Sequence, residues 1–544
     1  MTRFLKMLAF SLVFYAVAAA QTYTNILENG TNVTVDSVWN TTTIIVGGNS
    51  ASNGLGIFEG GQVTNANTTV GGSTNGHFNV VNVRGDAEWT MTGNLVVGDE
   101  GSDNYFEISS GATVDSAEGV VGRAAGSSNN IVYVTGSGSA WNVDGGIFIG
   151  GMSNAVAVDD GGLIASDYLA ISTNGSGFFL SNGGTFSIDT NQFDAGMTGF
   201  NWNGGGHLAL TGVLSGMDTT NGANYLDGGR DLSLGGAGAE WINPTNDLIV
   251  GYEASGSALA ITNGATVENS DAFIGWGADA GDNLVLVTDA GSEWNNNGNL
   301  YVGTYGDPTN LQAAASGNAL VVTNGGVVYV GEASTNDVGA GVAEGILVGS
   351  TNGAVLIADN GSYVETDGSL YLGSVSNASL TGSATVQNGS TIQVGALAIN
   401  SNGVFNLNED GMLMVTGDFD VDAVSNRLNW ADSSALEVQG QLALNAGLEG
   451  EGRTLSLSGS NANWSITGDL ASGTNGLVYI ENGAVVTNTS GGVSGENNEV
   501  IVQGSGAHWL NQGALTASGT SNRVSVQSGG KITADTLNLT GSNE

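Results

Sequence analysis

The phrase Gly-Ser-x-Trp-Asn, followed by Leu-x-Val-Gly and then by Asn-Gly-Gly-x-Val, recurs along most of this 544-residue chain. One copy runs Gly291-Ser292-Glu293-Trp294-Asn295, Leu300-Tyr301-Val302-Gly303 and Asn324-Gly325-Gly326-Val327-Val328. Another begins at Gly138-Ser139-Ala140-Trp141-Asn142 and continues through Ile149-Gly150 to Gly161-Gly162-Leu163-Ile164. Tandem copies of so short a unit cannot each close a core. They must bury their apolar faces against their neighbours in a stack.

The local period within the unit is two. In Asn318-Ala319-Leu320-Val321-Val322-Thr323-Asn324, Leu320 and Val322 share a face before Gly-Gly ends the run. Apolar spacing of three and four is not sustained after the first residues, so the expectation is all-β. The Val-Gly punctuation falls at Val97, Val121 and Ile149, then at Val250, Ile274, Val302, Val330, Val348, Leu372 and Val394. Its intervals are 24 and 28, then 24, 28, 28, 18, 24 and 22 residues. That matches one coil of an elongated parallel β-helix of about 24-residue coils. A propeller blade would need roughly 40–50 residues with four antiparallel strands. About twenty coils at ~4.8 Å would give a rod roughly 100 Å long. The 53-residue step from Trp241 to Trp294 then spans two coils. Trp39, Trp89, Trp141, Trp241, Trp294, Trp464 and Trp509 fall in one slot, expected to be a packing slot, although an exposed row would suit sugar stacking. Asn182, Asn263, Asn324, Asn388 and Asn482 sit at corners, where Asn tolerates left-handed backbone and can bond its stacked counterpart.

A longer period overlies the short one. Gly229-Arg230-Asp231-Leu232-Ser233-Leu234 leads to Trp241, and Gly452-Arg453-Thr454-Leu455-Ser456-Leu457 leads to Trp464, both offset by 223; Asn201-Trp202 and Asn429-Trp430 are offset by 228. The organisation expected is a leader at 1–20, a cap and first array at 21–192, an irregular insert at 193–240, and a second array at 241–399. A second insert at 400–463 and a short third array at 464–544 complete it. The last copy stops just past its next punctuation, which would expose a sheet edge open to end-to-end or edge association.

Residues Met1–Ala20 read as a secretory signal: Arg3 and Lys6, an apolar run from Leu8 to Val17, then Ala18-Ala19-Ala20. No later stretch approaches the ~18 apolar residues of a membrane helix, so no transmembrane segment is expected in the mature chain. The formal charge of −42 becomes −44 without Arg3 and Lys6. Charged residues are only 11% of the chain, so the imbalance comes from scarce Lys and Arg. Arg84, Arg123, Arg230, Arg427, Arg453, Arg523 and Lys531 are too few and scattered to neutralise a phosphate backbone or an anionic bilayer, so no nucleic-acid partner is expected. With 0 Cys there are no disulfides and no thiolate chemistry. Disorder is opposed by 40% apolar residues in alternation and only 2 Pro.

These repeat motifs resemble those of bacterial autotransporter passengers and of PEP-CTERM-associated exported proteins, over most of residues 36–544. The resemblance implies a right-handed parallel β-helix, exported and displayed at a bacterial cell surface, on the outer membrane or in extracellular matrix. The 544 residues include neither a translocator barrel nor a Pro-Glu-Pro sorting tail.

Candidate chemistry is sparse. Lyase chemistry would need a basic group near carboxylates, and Arg230 and Arg453 are the best candidates, yet they recur at equivalent positions where a single active site needs one. His508 occupies the variable slot before Trp509, and His77 and His207 stand alone. Asp418-Phe419-Asp420-Val421-Asp422 has the opening of an EF-hand loop, but Ala423 and Asn429 fill the positions that require Gly and Glu. Alternation explains it better, with Phe419 and Val421 inward. Gly136-Ser137-Gly138-Ser139 has no following Lys for a phosphate loop. No catalytic, metal or cofactor-binding residue and no cofactor is expected. The reading is a secreted or cell-surface structural, adhesin-like β-helix with weak multivalent binding to glycans or surface polymers through repeated Trp, Asn, Ser and Thr. The alternative is a polysaccharide lyase or glycoside hydrolase on the same fold, which requires carboxylates and a base converging in one cleft.

Overall fold

The computed structural model describes residues 24–542 except 173, 191, 196, 203–205, 212, 216–218, 221–222, 306–311, 314–315, 332–344, 350–352, 360, 374–380, 401, 421–426, 432, 444–447 and 467–468. The chain forms two compact units. The first is Met1–Asp218 with Gly229–Leu234, and the second is Thr219–Gly228 with Gly235–Glu544. Both are parallel β-solenoids, with about 18 turns in all at roughly 24-residue spacing, and no helix occurs among the described residues.

The alternating runs become strands because each inward side chain meets its counterpart one coil away. In the first unit Tyr105–Ser109, Thr113–Ser116 and Gly119–Val121 form one coil. Each pairs in parallel with the next: Phe106 opposes Val132, Val114 opposes Trp141, and Val120 opposes Phe148. The inward column Val81, Phe106, Val132, Val156, Phe178 is fully buried throughout. Burial of that kind gives roughly 1.5–3 kcal/mol per large apolar side chain.

The Trp slot points inward too. Its first-unit column reads Val63, Trp89, Val114, Trp141, Ile164; in the second unit it reads Trp241, Val267, Trp294, Val328 and, later, Trp464, Val486, Trp509, Ile532. Each Trp in these columns faces a smaller residue one coil on. An indole fills more of the cross-section than its aliphatic neighbours do, and with large and small side chains alternating along the column the core stays close-packed. This alternation is the physical content of the two-coil unit. Four of these indole N–H groups find an inward acceptor one coil back: Trp89 donates to Asn65 at 2.7 Å, Trp141 to Ser116 at 3.1 Å, Trp294 to Asn269 at 2.6 Å, and Trp509 to Asn488 at 3.1 Å.

A second inward device runs parallel to the core. The Oδ1 of Asn79 accepts both the backbone N–H and the side-chain amide of Asn53, at 3.0 and 2.8 Å. The same pair of bonds links Asn79 to Asn104, Asn104 to Asn130 and Asn130 to Asn154, and the series ends where Asn154 N donates to Ser176 Oγ at 3.2 Å. In the second unit Asn283 binds Asn318 in this way, and Asn498 N donates to Asn522 Oδ1. The ladder also explains the Gly of Leu-x-Val-Gly. Gly98 has φ +77°, and a Cβ there would lie 2.1 Å from the Asn130 amide; Gly122 stands in the same relation to Asn154 and Gly275 to Asn318. Corner and ladder are therefore one feature.

The corner asparagines Asn182, Asn263, Asn324, Asn388 and Asn482 have φ between 49° and 57°, as expected. Their side chains do not bond to stacked copies of themselves. Asn324 donates to Thr288 Oγ1 at 3.1 Å and Asn482 to Ser458 Oγ at 3.1 Å, because the residue beneath each amide is a strand-end hydroxyl.

Candidate functional site

The residues singled out from sequence are held in structural roles. Trp89, Trp141, Trp294 and Trp509 are fully buried, and Trp241 and Trp464 nearly so, which corrects the use of these tryptophans as a sugar-stacking row. Arg230 lies with its guanidinium 5.7 Å from the Trp202 ring, and Arg453 lies 5.5 Å from Trp430. The two arginines therefore repeat one cation–π contact, and each occupies its guanidinium on a neighbouring Trp.

Burial pushes the His207 imidazole below its ordinary pKa of 6.5, against the pull of Asp231, its neighbour in register. Burial and then Lys531 lower that of His508, whose Nε2 lies 2.9 Å from Thr533 Oγ1. His77 accepts the Ser102 N–H on Nδ1 at 3.1 Å. Asp418 Oδ1 accepts the Gln441 N–H at 2.7 Å, a strand-start cap that occupies the carboxylate. Phe419 is buried as expected; residues Val421 and Asp422 lie outside the described residues. A shallow groove of about 530 Å³ borders Asp418, Gln441, Asn463 and Trp464. Among the described residues it is lined by one carboxylate and no basic side chain.

The outward faces carry a constellation that the repeat phrase hides. In the first unit, Tyr105-Phe106-Glu107 puts Tyr105 and Glu107 outward on one strand, and Tyr133 opposes Glu107 one coil on. Tyr105 OH donates to Glu107 Oε2 at 3.2 Å, Ser109 Oγ to Glu107 Oε1 at 2.9 Å, and Arg84 Nη2 to Glu107 Oε2 at 2.8 Å. Tyr133 OH donates to both oxygens of Asp159, at 2.8 and 2.9 Å. In the second unit, Tyr363-Val364-Glu365 repeats the spacing, and here Tyr329 opposes Glu365 from the preceding coil. The Tyr329 and Tyr363 rings meet edge to face with centroids 6.3 Å apart. Tyr363 OH donates to Gln393 Oε1 at 3.2 Å, and Gln393 Nε2 donates to Glu365 Oε1 at 2.9 Å. Tyr479-Ile480-Glu481 has the spacing again but lacks the second tyrosine, having Ser458 and Gln503 in register with Glu481.

Electrostatics fix what these pads can do. Burial, then the neighbouring carboxylate, raises the Tyr105 phenol far above its ordinary value of 10.0, and the same two causes raise Tyr363 through Glu365. Tyr133 is raised as well, chiefly by burial. All three phenols stay protonated at neutral pH and donate; none can act as a base. The pads therefore present flat apolar ring faces rimmed by acceptor oxygens, the chemistry that pairs with a sugar's C–H face and hydroxyls.

A second outward column, the x position of Leu-x-Val-Gly, is closed. Ile249, Phe273, Tyr301 and Leu347 point away from the core yet are only 4–6% exposed, with Tyr225, Tyr252, Trp276 and Tyr371 packed against them. It forms a second apolar layer in the second unit. Both outward features were within reach of sequence: the x slot alternates out of the core, and Tyr-x-Glu keeps both side chains on one face.

No family model matches the chain, and no curated protein matches it. Among solved structures, it is similar to a TibC-catalysed hyper-glycosylated TibA55-350 fragment at 14% identity and a TM-score of 0.19, over 84% of this chain and 99% of that one. The solenoid assignment rests on this chain's own ladders.

Proposed function

We propose that the chain is an exported, non-catalytic, adhesin-like surface protein whose outward tyrosine–carboxylate pads bind glycans weakly and many times over. The observation that carries this reading is the recurrence, in both units, of Tyr-x-Glu with a second tyrosine in register with the carboxylate. A packing feature has no need to place phenol rings and acceptors together on a solvent face. Multivalency then turns low per-site affinity into useful avidity. The leader-like residues Met1–Ala20 support an exported location. The buried Trp89, Trp141, Trp241, Trp294, Trp464 and Trp509 hold the solenoid together and offer no ring face to a ligand.

The test is a glycan array probed with the full chain and with the Tyr133→Ala/Tyr329→Ala double variant. Specific glycan signals that fall at least tenfold in the variant, with circular dichroism unchanged, support the reading. An array blank for the wild type, or signals that the double variant retains, would remove it.

A further inference from the structure

Resting on glycan binding by the pads, we infer that their ligand is an amino sugar polymer carrying free, protonated amines, in preference to a neutral or acidic polysaccharide. Charge on the pads is the first argument. In the first unit the pad's cation, Arg84, is already bound to Glu107 at 2.8 Å and to Asn82 at 3.0 Å, while Asp159 accepts from the Tyr133 phenol, a neutral donor. The second-unit pad of Tyr329, Tyr363, Glu365 and Gln393 contains no cation, and Asp367 adds a second negative charge beside Tyr363. An acidic polymer would meet carboxylates and nothing to neutralise its own charge. An ammonium group instead finds carboxylate oxygens with lone pairs to spare and a phenol face that attracts cations.

Context across the chain points the same way. Arg123 and Arg523 are also held by carboxylates, Asp99 and Glu499, at 3.1 and 3.3 Å. With 51 acidic against 9 basic residues, the far field is negative and draws a polycation towards the pads. Repeat geometry supplies the second argument. Tyr105 and Tyr133 lie on adjacent coils, as do Tyr329 and Tyr363. Adjacent coils are about 4.8 Å apart, close to the length of one pyranose ring, so successive sugars of one chain can meet successive coils.

The experiment compares three hexamers on the full chain by calorimetry at low salt and pH 6: glucosamine, N-acetylglucosamine and galacturonate. The expected result is at least tenfold tighter binding of the glucosamine hexamer, weakening as salt is raised. The Glu365→Gln/Asp159→Asn variant should lose that preference, its affinity for the glucosamine hexamer falling at least tenfold further than its affinity for the acetylated hexamer. A control, Asp36→Asn/Asp535→Asn, removes the same charge from exposed positions away from the pads and should leave the preference intact. Equal or tighter binding of the acetylated or the galacturonate hexamer would overturn the inference and leave glycan binding standing. An equal loss in the control would overturn it as non-specific polycation attraction. Binding of none of the three would remove this inference and, with a blank array, the proposed function as well. Tyr329→Ala is a further check that does not touch the carboxylates; it should weaken both amino sugar hexamers together.

Discussion

Trp294 shows what one residue contributes to such a repeat. It is fully buried, sits between Val267 and Val328 in its column, and gives its indole N–H to Asn269 at 2.6 Å. Trp294→Ala should cost about 3–5 kcal/mol, through the cavity and the acceptor left behind. Trp294→Phe should cost less, as the ring volume is largely kept. Denaturant midpoints of the two variants check the order. Tyr329 is the opposite case, 39% exposed on the outward face. Its replacement by Ala should change stability by no more than about 0.5 kcal/mol while abolishing glycan signal at its pad. His207 makes the first unit sensitive to pH. Its folded pKa is depressed by burial, so between that value and 6.5 the unfolded chain binds more protons. Stability should be full above about pH 6.5 and fall as the pH drops through that window. A pH series of melting curves on wild type and His207→Gln should show the loss in the first and a flatter profile in the second.

At the scale of the element, the inward asparagine ladder explains more of the sequence than any other feature. Asn104 Oδ1 is replaced by Asn130's in the next rung and Asn79's in the one before, so each amide serves two coils. Asn104→Ala would strand the buried N–H groups of Asn79 at once, and the expected cost is about 2–4 kcal/mol. Asn154→Ser should be milder, since Ser176 already accepts the next bond of the series. Gly98→Ala should be as severe as the asparagine change, because it needs left-handed backbone and drives a methyl into Asn130. Urea titrations of the three variants decide this ranking. The coil length, the parallel stacking and the inward Trp slot were legible because they appear as periods. The ladder was not, because Asn79 or Asn104 lies between the recurring phrases and its partner is a whole coil distant. The Tyr-x-Glu pads escaped for a related reason: Tyr105 and Tyr363 occupy slots that other copies fill with unrelated residues, so they break the period instead of forming it. Arg230 and Arg453, by contrast, were legible as a repeated pair, and the cation–π contacts supply the physical reason for the repetition.

At the scale of the whole molecule, charge sets the balance. A formal charge of −42 places carboxylates on the outward faces of both units, and the ion pairs Arg84–Glu107, Arg123–Asp99 and Arg523–Glu499 offset little of it. Exposed pairs of this kind contribute about 0–1 kcal/mol and weaken with salt. Repulsion among the unpaired carboxylates also weakens with salt, and with so few cations the repulsion outweighs the pairing. At 0.1 M the Debye length is about 10 Å, roughly two coil spacings, so added salt silences repulsion between coils further apart than that. Raising NaCl from low to physiological concentration and beyond should therefore raise the melting temperature, by on the order of 2–4 °C for each kcal/mol of repulsion relieved. Amino sugar binding should respond in the opposite direction, weakening over the same range. A thermal melt series run beside the calorimetry separates the two. A melting temperature that falls with salt would mean that the three pairs outweigh the repulsion, and that the negative field drawing a polycation to the pads is weaker than the composition implies.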